Sequence, residues 1–217
     1  MTTMEQLRQR VDREIFDYRQ LTDSLREYAK PRDKIGALLA AGSLVRVKKG
    51  LYVFGEPWRR QPVCRELLAN LIYGPSYISM EYALSLHGLI PERVTTLTSV
   101  TSGRTRRFQT PFGLFTYRPV PTIPYSLGIA QDQSGPDPFL VASPEKALAD
   151  FVWADRGFHP SGPAAFDAYL HDNLRMEPDR LAALNPKSMQ TIAAGYNTPR
   201  ITMLAAYLQD ARRRSRR

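Results

Sequence analysis

Apolar residues recur at helical spacing through the first forty positions of the chain. Met4, Leu7, Val11 and Ile15 share one face of a helix predicted over Thr3–Ile15, with Thr3 and Gln6 placed as a capping box. Asp17 with Gln20 repeats that signal and opens a second helix, whose buried stripe is Tyr18, Leu21, Leu25 and Tyr28. A third begins at Pro31, a residue suited to the first helical position, and stops before Gly42, suited to the left-handed residue past a helix end. Ile35, Leu38 and Leu39 form its inner face, while Lys30, Asp33, Lys34, Ala37 and Ala41 form the outward stripe. The pattern then becomes strand-like. Leu44–Val47 and Leu51–Phe54 are β-rich runs joined by Lys48-Lys49-Gly50, whose glycine supplies the positive φ that a tight hairpin turn needs. Three short helices feeding a hairpin with a basic tip is the order of a winged helix-turn-helix, and about 55 residues can close a small core of that kind.

Glu56–Gln61 (EPWRRQ) carries a proline and two arginines and marks the expected boundary of that unit. Val63–Ile72 then reads as a helix closed by Tyr73-Gly74-Pro75, and Ser79 caps another that runs through His87 to Gly88. Val94–Thr101, Arg104–Gln109 and Leu114–Arg118 are β-rich runs separated by turn signals, which predicts an antiparallel meander. Pro119–Pro138 is proline-rich and irregular, and Phe139–Ala142 is a short apolar run that adds a strand. Ser143-Pro144 opens a firm helix with Leu148, Phe151 and Val152 inward; Glu145 suits its dipole, and Lys146 is spaced to pair with Asp150. Helices follow at Pro163–Leu174, Pro178–Leu184, Pro186–Ala194 and Pro199–Ala211, the last with Thr198 as its cap. The expected fold class is α+β: a winged helix-turn-helix over residues 1–57, a larger mixed α/β C-terminal domain over 58–210, and a basic tail over 211–217.

Composition narrows the chemistry. Among 217 residues, 43% are hydrophobic and 24% charged, the profile of a folded globular chain, and no run of about 18 apolar residues suggests a membrane span. The polar N-terminus has no signal-peptide pattern, and the single Cys64 cannot form an internal disulfide, so a cytoplasmic protein is expected. No Cys/His cluster has zinc-ligand spacing, and no phosphate loop or nucleophile–base set is present. His87 reads as a helix-ending residue, His159 and His171 are isolated, and Glu145, Lys146 and Asp150 on one helix do not make a nuclease centre. The expectation is a non-enzyme without metal or cofactor. A net charge of +9 favours a polyanionic partner, although five of those positive charges sit in the tail Ala211–Arg217, which reads as a frayed end.

The positions of the charges rank the candidates. Lys30 and Lys34 lie on the outward stripe of the third helix, where a recognition helix meets base edges. Arg32 on its flank suits a phosphate, and Asp33 is tolerable beside DNA only if it accepts from cytosine or pairs with a lysine. Lys48 and Lys49 at the hairpin tip, with Arg46 on the adjoining strand, suit phosphates or the minor groove. A second basic surface is suggested by Arg104, Arg106, Arg107 and Arg118. They interleave with Phe108, Phe112, Phe115 and Tyr117 in a stretch, Arg93–Gln131, that has no acidic residue. A basic, aromatic sheet of that type can also stack single-stranded bases, which keeps an RNA-binding protein as an alternative.

Three segments together resemble one family. LLAAGSLVRVKKGLYVFG resembles the winged helix of AbiEi-type antitoxins, and YISMEYALSLHGL and ASPEKALADFVW resemble that family's C-terminal domain. The similarity spans about Met4 to about Leu208 and leaves the basic tail outside. It implies an antitoxin of a type IV toxin–antitoxin pair that binds DNA upstream of its own operon and represses it. It also implies that the protein counteracts a nucleotidyltransferase-like toxin with no stable complex required. By motif match the DNA role falls on Lys30, Arg32, Lys34, Arg46, Lys48 and Lys49, and no catalytic residue carries over. A monomer in solution that binds inverted repeats in two copies is the expected form. The rival in the same class is a winged-helix regulator with no toxin partner.

Overall fold

The computed structural model describes residues 2–215. Helix α1 (Thr3–Arg10) is capped one residue earlier than predicted: the Thr2 hydroxyl accepts from the Glu5 amide, and the Thr2 amide donates to the Glu5 carboxylate at 2.7 Å. It also ends at Arg10, because Ile15 leaves the helical face to join strand β1 (Ile15–Asp17). A buried ion pair holds that turn. Arg8 Nη2 lies 2.8 Å from Glu14 Oε1, which also accepts from the Arg60 amide at 3.1 Å, and the Arg8 guanidinium sits over the Phe54 ring. Helix α2 (Tyr18–Ser24) is opened by the predicted Asp17/Gln20 capping box. Helix α3 (Pro31–Ala40) starts on its proline, and Gly42 beyond it has φ +67°.

Strands β2 (Leu44–Lys48) and β3 (Leu51–Phe54) form the predicted hairpin, and β1 joins it to give an antiparallel sheet in the order β1-β3-β2. Every residue of β3 is buried, because the sheet is covered on both faces. Phe16, Leu44, Tyr52 and Phe54 pack with Met4, Leu7, Leu21, Leu25, Ile35 and Leu38 of the three helices. Ile15, Val47, Leu51 and Val53 point the other way, into the larger core of the C-terminal unit. Glu56–Trp58, in the stretch read as a boundary, forms a single turn of 3-10 helix.

The C-terminal unit runs α4 (Arg65–Ile72), β4 (Ser76–Ile78), α5 (Met80–Leu86), β5 (Leu97–Thr101), β6 (Arg106–Thr110), β7 (Gly113–Pro119) and α6 (Thr122–Tyr125). Then come β8 (Ile129–Asp132), β9 (Phe139–Ala142) and α7 (Pro144–Ala154). Helix α8 (Pro163–Asp167) continues through a π-helical stretch at Ala168–Asn173, and α9 (Pro178–Ala183), α10 (Pro186–Tyr196) and α11 (Pro199–Ser215) close the chain. Six strands form one mixed sheet in the order β6-β7-β5-β4-β9-β8. The fold is α+β, as expected, but the meander is not formed. β6 and β7 make an antiparallel hairpin, whereas β5 pairs in parallel with β7 and not with β6. Burial decides this. β5 is buried throughout and β7 buries Phe115 and Tyr117, so those two share the interior, and the exposed β6 is left at the edge. β4 and β8, at three and four residues, carry too little periodicity to have been predicted.

Helix α7 is the centre of the unit. Ser143 caps it as predicted, but the expected Lys146–Asp150 pair is wholly buried, with Nζ and Oδ1 2.5 Å apart. Tyr77 (3.1 Å), Ser79 (2.6 Å) and Tyr196 all donate to the Asp150 carboxylate, and Lys146 Nζ reaches Tyr196 Oη at 3.2 Å. This network ties β4, α7 and α10 together with no charge left unpaired. Thr198 precedes α11, yet its buried hydroxyl makes no hydrogen bond among the described residues, so the expected side-chain cap is not made. The tail does not fray at Ala211: α11 continues to Ser215, with Arg212 donating to the Leu184 carbonyl and Arg214 over Tyr207. Arg216 and Arg217 lie outside the described residues. No helix among the described residues is long and apolar enough to cross a membrane.

Candidate nucleic-acid interface

Tyr18, the first residue of α2, organises the basic face of the N-terminal unit. Its amide donates to the Gly50 carbonyl in the hairpin turn (3.0 Å), and its hydroxyl accepts from Arg32 Nε in α3 (3.3 Å). Its ring lies 6.5 Å from that of Tyr52, which stands opposite Arg46 in the hairpin register. One residue therefore brings together the first turn of α2, the first turn of α3 and the hairpin turn. Lys30, Arg32 and Asp33 border a concavity with Tyr18, Thr22 and Pro31. Arg19, in the first turn of α2, is exposed. The chain's periodicity gives Tyr18 only as part of the buried stripe of α2, and its bonds to Arg32 and Gly50 reach parts of the chain that no local pattern connects.

The six predicted residues divide. Lys30, Arg32, Arg46 and Lys49 are exposed. Lys34 is half-buried, its ammonium 5.2 Å above the Tyr28 ring, a cation–π contact that holds it along the flank of α3. Lys48 departs from expectation. Its ammonium donates to the Ile72 carbonyl at the end of α4, and burial lowers its pKa below the ordinary lysine value. The cause is a β-bulge: Arg46 stands opposite Tyr52, but Lys48 rather than Val47 stands opposite Leu51. The extra residue turns Lys48 from the Arg46 face to the face that meets the C-terminal unit.

The second basic surface is present, but its aromatic half is not available for stacking. Arg104, Arg106, Arg107 and Arg118 are all exposed, whereas Phe115 and Tyr117 are fully buried. Phe108 packs edge-on against Tyr117 at 5.7 Å and against Tyr73 at 6.1 Å, and Phe112 lies beneath the Arg59 guanidinium. The aromatics belong to the core and the arginines to the surface. A platform of exposed rings, which the single-strand alternative requires, is absent among the described residues.

No protein-family model and no curated protein sequence matches the chain. Among solved structures it is similar to the RV2827C protein from Mycobacterium tuberculosis, with a TM-score of 0.53 and 15% identity over 98% of this chain and 81% of that one. The likeness covers both units and is one of fold.

Two histidines are held by structural bonds. His87, just past α5, has its Nε2 2.8 Å from the Ala142 carbonyl at the end of β9, and His171 bridges the Met176 carbonyl and the Tyr207 hydroxyl, whereas His159 is exposed. Burial raises the pKa of the Cys64 thiol, which accepts from the Leu67 amide as the cap of α4. No group of three or more metal-ligating side chains occurs among the described residues.

Proposed function

We propose that this protein is a sequence-specific repressor that binds duplex DNA, and that it serves as the antitoxin of a type IV pair. The observation that carries the DNA reading is the convergence at Tyr18. It joins the start of α3, where Lys30 and Arg32 are exposed, to the hairpin turn, where Lys49 is exposed beyond the Arg46 strand. A helix-turn-helix uses this layout to place the N-terminal part of its third helix in the major groove and its wing along the backbone. Arg32, held by Tyr18, suits a phosphate, and Lys30 is free to reach a base edge. The antitoxin part is supported by the three segments that resemble AbiEi-type antitoxins, and it supplies the expected toxin, a nucleotidyltransferase-like protein opposed without a stable complex.

The test is a salt titration of binding to the DNA immediately upstream of the gene, beside a random duplex of equal length. The upstream duplex should bind preferentially, and a Lys30/Arg32/Lys34→Ala variant should lose the preference. Equal binding to both duplexes would sink the repressor reading. Co-expression with the neighbouring gene tests the second part: rescue from growth arrest is expected, and continued arrest would leave a plain regulator.

A further inference from the structure

Where the end of α7 meets the start of α11, a cleft of about 470 Å³ opens on the C-terminal unit. Its walls carry two kinds of chemistry. Trp153 in the last turn of α7 and Met203 of α11 supply an apolar side, and Arg156, His159 and Arg200 supply a basic one, with Thr198 beside them. The helix ends fix this layout. The last carbonyls of a helix have no partner within it. Arg200 Nη1 donates to two at the end of α7, those of Val152 (3.1 Å) and Asp155, while its Nε and Nη2 make no hydrogen bond among the described residues. The half-buried Trp153 is held from the core side by Tyr196, with ring centroids 5.8 Å apart. Arg156 and His159 are exposed, and neither Arg156 nor Arg200 makes an ion pair among the described residues. Asp155 is the carboxylate nearest in sequence, and it is taken up by the Gly157 amide (2.9 Å) and the Tyr169 hydroxyl (2.7 Å). No carboxylate is among the described residues that line the cleft. The Thr198 hydroxyl is enclosed without a partner, so the first turn of α11 lacks the side-chain cap that would cover its amides.

We infer that this cleft binds a free nucleoside di- or triphosphate, with its base against Trp153 and its phosphates among Arg156, His159, Arg200 and the first turn of α11. Guanidiniums make paired hydrogen bonds to phosphate oxygens, and an uncapped helix start adds partial positive charge on the same side. A bare phosphate would leave the indole unused, whereas a base stacks on it. The volume falls within the range of about 300–1,000 Å³ usual for small-molecule pockets. The site uses none of the residues of the Tyr18 face, so it stands independently of the duplex-DNA reading.

Trp58 and Trp153 are the two tryptophans of the chain, so Trp58→Phe leaves Trp153 as the sole reporter. The full chain carrying that replacement is titrated with ATP, GTP, CTP and UTP, with inorganic tripolyphosphate and with a short single-stranded oligonucleotide, while Trp153 emission is followed. At least one nucleotide should quench it saturably at micromolar to millimolar concentration, and tripolyphosphate should bind about tenfold more weakly or worse. Adding Arg156→Gln and His159→Asn should weaken that nucleotide about tenfold or more with an unaltered thermal melt, since both side chains are exposed. Arg200→Gln also removes the bonds to α7 and is the less clean variant. The Lys30/Arg32/Lys34→Ala replacement should leave the quenching unchanged, which separates the cleft from the DNA face. No quenching by any nucleotide at millimolar concentration, or undiminished binding in the Arg156/His159 variant, would overturn the site. Equal affinity for tripolyphosphate would reduce it to a plain anion site, and tighter binding of the oligonucleotide than of every free nucleotide would overturn the free ligand.

Discussion

At the residue scale, adjacent side chains of like charge have opposite fates. Lys48 and Lys49 are equivalent in sequence, but the bulge sends Lys48 to the Ile72 carbonyl and leaves Lys49 in solvent. Lys49→Ala is expected to weaken every duplex alike and to lower the salt slope by about one unit. Lys48→Met should leave that slope unchanged, and equal slope losses for the two would show that Lys48 swings free to meet DNA. The buried network offers a second residue-scale test. Asp150 accepts from Tyr77, Ser79 and Tyr196 and pairs with Lys146. Asp150→Ala strands the ammonium in the core and should cost about 3–5 kcal/mol, measured by urea denaturation. A joint Lys146→Met/Asp150→Leu replacement should recover much of that loss, since it removes both charges together. The i, i+4 spacing of this pair was legible in the sequence. Its burial was not, because Tyr77 and Tyr196 arrive from distant parts of the chain.

At the element scale, the close meeting of α3 and the hairpin depends on glycine. A Cβ at Gly55 would lie 1.8 Å from the Gly42 carbonyl oxygen, and the Gly55 amide donates to the Ser43 carbonyl at 2.8 Å. The obstacle is backbone and cannot rotate away. Gly55→Ala should therefore destabilise the fold by about 3 kcal/mol, seen as a lowered midpoint in urea, at the upper end of the usual range for overpacking. Local signals did identify α2, α3, the hairpin and α7, because capping residues, prolines and glycines act within a few positions. They placed the end of α1 wrongly, since Ile15 is drawn into a strand by its partner Val53, far along the chain. The same limit explains the meander. Three consecutive β-rich runs suggest nearest-neighbour pairing, but only the depth of each strand in the assembled core shows that β5 must pair with β7.

At the scale of the whole molecule, burial of tyrosines sets the response to alkali. Burial raises the pKa of Tyr77, Tyr196 and Tyr117 above the ordinary value of 10.0, with the Asp150 charge adding to it for the first two. Unfolded, these phenols ionise near pH 10, whereas folded they keep their protons. Their contribution is therefore complete below pH 10 and is lost as the pH rises above it. Lys146 acts in the opposite sense. Burial lowers its pKa against the restoring pull of Asp150, so its contribution grows with pH up to the ordinary value of 10.5 and then stops. Three phenols outweigh one ammonium, so the urea midpoint should hold to about pH 9 and fall steadily above pH 10. A midpoint that is flat to pH 11.5 would show that the phenols are not buried in solution.

By itself the sequence determined most of the helices, the helix-turn-helix-hairpin pattern, the exposed Lys30 and Arg32 at the start of α3 and the acid-free basic stretch. These follow from residue periodicity, capping and net charge, which act locally or by simple addition. Only the tertiary structure decided that strand β3 is buried on both faces, that Lys48 turns inward, and that the aromatics of β6 and β7 belong to the core. Those outcomes depend on which distant surfaces exclude water from one another. Such pairings are settled by the packing of the whole chain at once, and no window of neighbouring residues contains them.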